Sequence, residues 1–305
     1  MAKRDLNSGL YDPRMGDQAI RSLSLSLDPK SIEPARTNYF SIYYIENGSG
    51  KFWADAACHE FDRGSLLFFV PYQSIRFVPD TPVRAEAIQF HANFLCVETF
   101  HAEVGCSGIL FNDPYGIPVV SLDKSAQREV SRLIERVRKE QSQSALAFGE
   151  VMLAYLKVLL ILAARIKSPQ PGLCVPGAND FRHPVLAQLR DLIEENYQTM
   201  HSPADYAKRL HLTAKTLGRI VREHLGTTPT DLIRNRILIH AKWQLLHTLK
   251  PIKEISRELG FRDELYFSRF FKKFTGYSPT FFREFETEIR NGSNLSMFSA
   301  QAPIL

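Results

Sequence analysis

A chain of 305 residues is too long for one ordinary domain and fits two of average size, and its 44% hydrophobic content supplies each with a core, which excludes a wholly disordered protein. The formal net charge of +5 is local in origin: between Phe181 and Arg290 stand 19 Lys and Arg against 13 Asp and Glu, and elsewhere 19 against 20. That surplus marks the C-terminal segment as the place to meet a polyanion, while four scattered cysteines (Cys58, Cys96, Cys106, Cys174) imply no disulfide framework and suit a reducing cytosol.

The opening residues MAKRDLNSGLYDPRMG contain no apolar h-region, so no signal peptide is expected. From about Asn38 to Leu122 short aromatic and β-branched runs alternate with turn signals such as Asn47-Gly48 and Arg63-Gly64. Half-buried strands have this composition, and their regular spacing predicts a small antiparallel barrel or sandwich. Phe68, Phe69 and Phe77 read as its core. His91, Cys96, His101 and Cys106 are metal-ligand types spaced by five. That spacing fits neither one strand face nor one helix face, so ordinary buried side chains are the preferred reading. The pair Cys58-His59 is read the same way.

Two helices are predicted next. Lys124 to Gln141 places Val130, Leu133, Ile134 and Val137 on one stripe. Leu146 to Ile166 is apolar almost all round, and a helix without a wet face must be covered on both sides. One side can pack on its own domain, and the other predicts a homodimer through Leu156 and Leu160. The alternative is burial entirely within one chain. The apolar run Val151 to Ala164 is too short to span a bilayer, so a cytoplasmic protein without a membrane partner is expected. The stretch SPQPGLCVPGAND, residues 168–180, has the Pro and Gly content of a linker.

From Phe181 to about Arg290 the pattern is helical and contains a repeat. In the first copy, His201 to Pro229, Ser202 caps a short helix opened by Pro203. Thr213 caps a second helix that turns Leu217, Ile220, Val221 and Leu225 inward and stops at Gly226. The outward positions are then Lys215, Thr216, Arg219 and Arg222. In the second copy, Lys250 to Pro279, Pro251 opens a short helix with Ile252, Ile255 and Leu259 as its stripe. Asp263 caps the next helix, in which Phe267, Phe270, Phe271 and Phe274 point inward. Its outer positions are Leu265, Tyr266, Ser268, Arg269, Lys272 and Lys273. Gly276 and Ser278-Pro279 repeat Gly226 and Thr228-Pro229, which aligns Arg219 with Arg269 and Arg222 with Lys272. Two short helices joined by a tight turn form a helix-turn-helix, whose second helix enters the major groove of DNA. About 20 helical residues join the copies and span about 30 Å, close to the roughly 34 Å between successive major-groove faces.

The stretch Ala241 to Glu284 resembles the C-terminal signature of the AraC/XylS regulators. The matching features are the double leucine, Gly260-Phe261, the Tyr-Phe-Ser-Arg run from Tyr266, Phe271-Lys272 and Gly276-x-Ser-Pro. Ser256 stands where that family usually has alanine, and Gly218 leaves one groove-facing position bare. The N-terminal half is similar, more loosely, to the family's cupin-like effector domain. Metal-binding cupins need His-x-His, Glu and a later His. Phe52-Trp53-Ala54 and Ile75 stand near those places, so no metal, cofactor or catalytic residue is expected.

The reading is an α+β chain in four parts. Residues 1–167 form a cupin-like β-barrel with two following helices, 168–180 a linker, and 291–305 a tail. Residues 181–290 form an all-α domain of two helix-turn-helix units joined by a long helix. The resemblance implies a non-enzymatic transcription regulator with double-stranded DNA, a small-molecule effector and RNA polymerase as partners. A metal enzyme tethered to DNA and an architectural DNA binder are the competing classes.

Overall fold

Residues 9–27, 36–97, 109–111, 115–143, 145–167 and 183–290 are described by the structure, a computed structural model. Among the described residues of the first part, eight strands form: β1 Ile20–Leu27, β2 Phe40–Asn47, β3 Gly50–Ala54, β4 Ala57–Phe61, β5 Ser65–Phe69, β6 Ile75–Pro79, β7 Val83–Phe90 and β8 Val119–Ser121. They make an antiparallel five-stranded sheet in the order β1-β7-β2-β5-β8 and a three-stranded sheet in the order β4-β3-β6. Ile45, Phe52, Phe61, Leu67, Phe69 and Phe77 fill the space between the sheets. Phe52, Phe69 and Phe77 meet there as a ring cluster, with centroids 5.3–6.1 Å apart.

β1 lies outside the strand region read from the sequence. It pairs with β7 along its whole length, from Ile20↔Phe90 to Leu27↔Val83. As an edge strand it buries only its two ends, so its Ser-Leu alternation carries little of the hydrophobic contrast that marks an interior strand.

The outer face of the larger sheet is covered by α1 (Lys124–Gln143) and α2 (Phe148–Lys167). The stripe Val130, Leu133, Ile134 and Val137 of α1 is buried as its spacing requires. Packing on both sides makes β5 apolar from Leu66 to Phe69, and all five of its residues, Ser65 included, are buried. In α2, Leu156 and Leu160 are 0% and 1% exposed in the single chain. They belong to the chain's own core, which corrects their assignment to a dimer contact. The solvent-facing apolar side chains of α2 are instead Phe148, Val158 and Ile166, each about 40% exposed (39%, 42% and 40%).

Seven helices follow: α3 Pro184–Asn196, α4 Pro203–Arg209, α5 Ala214–Leu225, α6 Pro229–His247, α7 Ile252–Glu258, α8 Glu264–Thr275 and α9 Pro279–Arg290. Their buried side chains form one cluster around α6, and that cluster takes in Leu10, Tyr11, Tyr39, Tyr72 and Tyr115 from the N-terminal part. The barrel therefore sits directly on the helical part. The expected linker 168–180 and tail 291–305 lie outside the described residues. Among the described residues, no helix is long and apolar enough to cross a membrane.

Candidate nucleic-acid interface

Both repeated units fold as their punctuation dictates. Thr213 accepts the Thr216 N–H at the start of α5, and Asp263 accepts the N–H groups of Leu265 and Tyr266 at the start of α8. Ser202 occupies the N-cap position of α4 but makes no side-chain capping bond. Gly226 and Gly276 close α5 and α8 in the left-handed conformation, with φ of 63° and 90°. Leu217, Ile220, Val221 and Leu225 are buried, as are Phe267 and Phe271, with Phe270 and Phe274 packed partly against the same core.

With those faces inward, the outward positions are available. Lys215, Arg219, Arg222, Arg269, Lys272 and Lys273 are exposed, Leu265 is 70% and Tyr266 59% exposed, and Ser268 is half-buried. Thr216 is also half-buried, and its hydroxyl lies 2.9 Å from that of Thr213, so part of its capacity goes to the cap. Arg219 pairs with Glu223 one turn along at 3.1 Å, and Arg269 Nε donates to the Leu265 carbonyl at 3.4 Å. Each unit thus offers a short convex face of cations on one helix. Two exposed apolar residues, Leu265 and Tyr266, lead the second. Such faces suit phosphate and base edges.

The 19-residue α6 joins the units and spans about 28 Å at 1.5 Å per residue. Side chains fix its neighbours to it. Arg236 stacks over Tyr197, the residue that caps α3, at 4.1 Å and pairs with Glu194 of α3 at 2.8 Å. Arg234 stacks over Phe274 of α8 at 4.1 Å, while Arg283 of α9 donates to the carbonyls of Leu245 and Lys250.

The barrel touches both units at their equivalent glycines. The Cys58 N–H donates to the Gly226 carbonyl at 3.2 Å, and a Cβ on Gly226 would lie 2.4 Å from the Cys58 carbonyl oxygen. Arg36 packs over Gly276, its side chain 3.4 Å from where a Cβ would stand. A second contact centres on Glu286 of α9, which is buried against His91, Tyr72, Asn38 and Arg290. Burial alone would raise this carboxyl, but the hydrogen bond and charge of His91, with Arg290 and Tyr72, outweigh it and hold the group at about 2. Asn93 donates to the Ile289 carbonyl, and Arg14 reaches Glu288. Lys242 of α6 donates to the Pro71 carbonyl at 2.9 Å, and burial pushes its ammonium down to about 8.

The sequence reading missed this set. Tyr72 and Glu286 stand 214 residues apart, and nothing local to either marks the pairing. His91 belongs to it, stacking on Tyr11 with centroids 4.5 Å apart. Cys96 is half-buried, and His101 and Cys106 lie outside the described residues. Among the described residues, no group of three or more His, Cys, Asp or Glu could hold a metal ion.

Two family descriptions match the chain: an AraC-like ligand binding domain over residues 23–151 and a helix-turn-helix domain over 206–284. Among curated relatives, the lactose operon transcription activator of Staphylococcus xylosus is 33% identical over 104 residues, covering 34% of this chain and 36% of that protein. The HTH-type transcriptional activator RhaS of Enterobacter sp. (strain 638) is 28% identical over 177 residues, 58% of each. The arabinose operon regulatory protein of Escherichia coli (strain K12) is 32% identical over 123 residues, 40% of this chain and 41% of that one. The chain thus spans between about a third and three-fifths of the length of these relatives.

Proposed function

We propose that the chain is an AraC-type transcriptional regulator that binds specific double-stranded DNA through α5 and α8 under the control of a small-molecule effector. The observation that carries this reading is the duplicated unit. Two recognition helices with the same glycine stops and two matched basic positions, Arg219 with Arg269 and Arg222 with Lys272, flank one 19-residue helix along the chain. That helix is stiff, and its length of about 28 Å approaches one turn of B-DNA, so both helices enter adjacent segments of the major groove. Lys215, Thr216, Arg219 and Arg222 serve the first segment. Leu265, Tyr266, Ser268, Arg269, Lys272 and Lys273 serve the second.

The domain boundaries are 1–167 for sensing and pairing, 168–180 for the linker, 181–290 for DNA binding and 291–305 for a tail. A homodimer forms through the exposed apolar face of α2 and doubles the operator. RNA polymerase is the further partner of the DNA-bound dimer, and the cytoplasm is the site of action. The duplication favours this reading over a metal enzyme, because an enzyme has no use for two matched basic helices.

Selection of bound sequences from a random duplex library, with the full chain, tests the proposal. The expected enrichment is a pair of short elements one helical turn apart. Binding without any sequence enrichment would reduce the protein to an architectural binder.

A further inference from the structure

An open pocket of about 820 Å³ lies on the barrel half, where the turn between β4 and β5 meets the start of α1. Four bases line it, Arg63 from the turn and Lys124, Arg128 and Arg132 from the helix, and no carboxylate does. The three helical bases recur every fourth residue, so they stand one above another on a single face. Like charges at that spacing destabilise a helix. Among the described residues, none of the four side chains pairs with a carboxylate or engages another group. Asp123, the acid next to Lys124, is occupied in capping the Ala126 N–H at 2.7 Å.

The local fold holds these bases together against their repulsion. The Leu122 N–H donates to the Gly64 carbonyl at 3.0 Å, which ties the turn to the chain entering α1. Gln127 lies directly over Gly64, where a Cβ would stand 2.2 Å from its amide nitrogen. That nitrogen donates to the Leu122 carbonyl at 2.8 Å. Glycine alone, here at φ 80°, allows the helix to come down so close to the turn. At the floor, Tyr44 of β2 is buried and its hydroxyl oxygen accepts from the Ser131 hydroxyl at 3.2 Å. The O–H of Tyr44 itself is left to donate into the pocket that it lines.

Four unpaired cations and a neutral donor call for a compact, multiply charged anion. We propose that this pocket binds a small phosphate polyanion carrying two neighbouring phosphate groups, its oxygens held by Arg63, Lys124, Arg128 and Arg132, with Tyr44 donating from the floor. Two phosphate groups bring about three to four negative charges, which balances the four bases. Three of those bases are guanidinium groups, whose planar forks match phosphate oxygens in pairs. Tyr44 is the one ring in the lining and is buried, so the pocket has no aromatic face on which a nucleobase could stack. The site rests on these residues and not on the regulator reading above.

Calorimetric titration of the full chain tests the site, with pyrophosphate as the probe and orthophosphate and citrate as comparisons. The buffer holds no divalent metal and about 0.15 M salt, where exposed charges are screened beyond about 8 Å. Pyrophosphate should bind saturably and about tenfold or more tighter than either comparison. Arg128→Gln with Arg132→Gln should weaken it about tenfold or more, because two charge-assisted contacts are lost. Lys139→Gln with Arg165→Gln removes the same charge from exposed residues outside the pocket and should leave the affinity within about twofold. Three results would each overturn the proposal with the circular dichroism intact: no saturable binding of pyrophosphate, equal affinity for citrate, or equal losses in the two double variants. Affinity for a random-sequence DNA duplex is measured on the same proteins. A loss in the pocket variant beyond that of its control would assign these bases to the nucleic-acid backbone and overturn the small-molecule site, whereas equal duplex affinities uphold it.

Discussion

Arg219 and Glu223 face one another across a single turn of α5, 3.1 Å apart, with both side chains more than half exposed. An exposed pair of this kind is worth about 0.3–0.5 kcal/mol, whereas a guanidinium gripping a guanine edge contributes about 1–3 kcal/mol of discrimination. If Arg219 reads a base as proposed, the base outweighs Glu223 and the guanidinium exchanges partners on the operator. Arg219→Ala should therefore relax preference at one or two base pairs, and Arg269→Ala should do the same about one helical turn away. Arg222→Ala and Lys272→Ala should weaken all sequences alike and lower the salt slope by about one unit each. Binding across an operator library at several salt concentrations checks all four. An unaltered preference in Arg269→Ala would leave base reading to the first unit alone. Two glycines in the same unit separate backbone strain from helix propensity. A Cβ at Gly218 meets nothing within 4 Å, so Gly218→Ala should stabilise by about 0.5–1 kcal/mol. Gly226→Ala combines a φ of 63° with the Cys58 carbonyl 2.4 Å away and should destabilise by about 1–3 kcal/mol. Denaturant midpoints of the two variants should move in opposite directions.

At the level of elements, α2 separates what its composition requires from where the requirement is met. An all-round apolar helix needs two partners, and the sequence says so. The five-stranded sheet and α1 cover Leu156 and Leu160, and the side left over is Phe148, Val158 and Ile166. If this side joins two chains, Val158→Glu with Ile166→Glu should halve the mass in sedimentation equilibrium and leave the fold intact. An unchanged mass would move the dimer contact elsewhere. The recognition helices were legible to the residue because Thr213, Gly226, Asp263 and Gly276 act on backbone within a turn of themselves. β1 was not, because an edge strand hides little apolar surface. The Tyr72–His91–Glu286 contact was not either, because its members are brought together only by the docking of two folded halves. Local chemistry can be read along a chain, whereas complementarity between two surfaces has no period.

In the whole molecule, the barrel and the helical part are joined by a buried carboxylate, and this gives the joint a pH dependence. Glu286 is held at about 2 against an ordinary 4.5, so its contribution is present above about pH 4.5 and is lost as pH falls toward 2. The radius of gyration from small-angle scattering should grow across that window, and Glu286→Gln should remove the dependence. A flat profile would show that the apolar contacts hold the halves together without it. The fragment from Phe181 onward, which keeps the α3–α9 core, should fold and bind DNA alone. An unfolded fragment would make the barrel part of that core rather than a neighbour. The paired contacts of Cys58 on Gly226 and Arg36 on Gly276 have a thermodynamic corollary. One rigid body rests on the trailing ends of both reading heads, so the pose that fits an operator and the pose that fits the barrel are one variable. Linkage between two sites is reciprocal. If the chain binds DNA and an effector as proposed, an operator whose half-elements are a base pair too close or too far alters how tightly the protein holds that effector, by the same factor that the effector alters the operator's affinity. In such a regulator the promoter is itself a ligand that tunes the sensor.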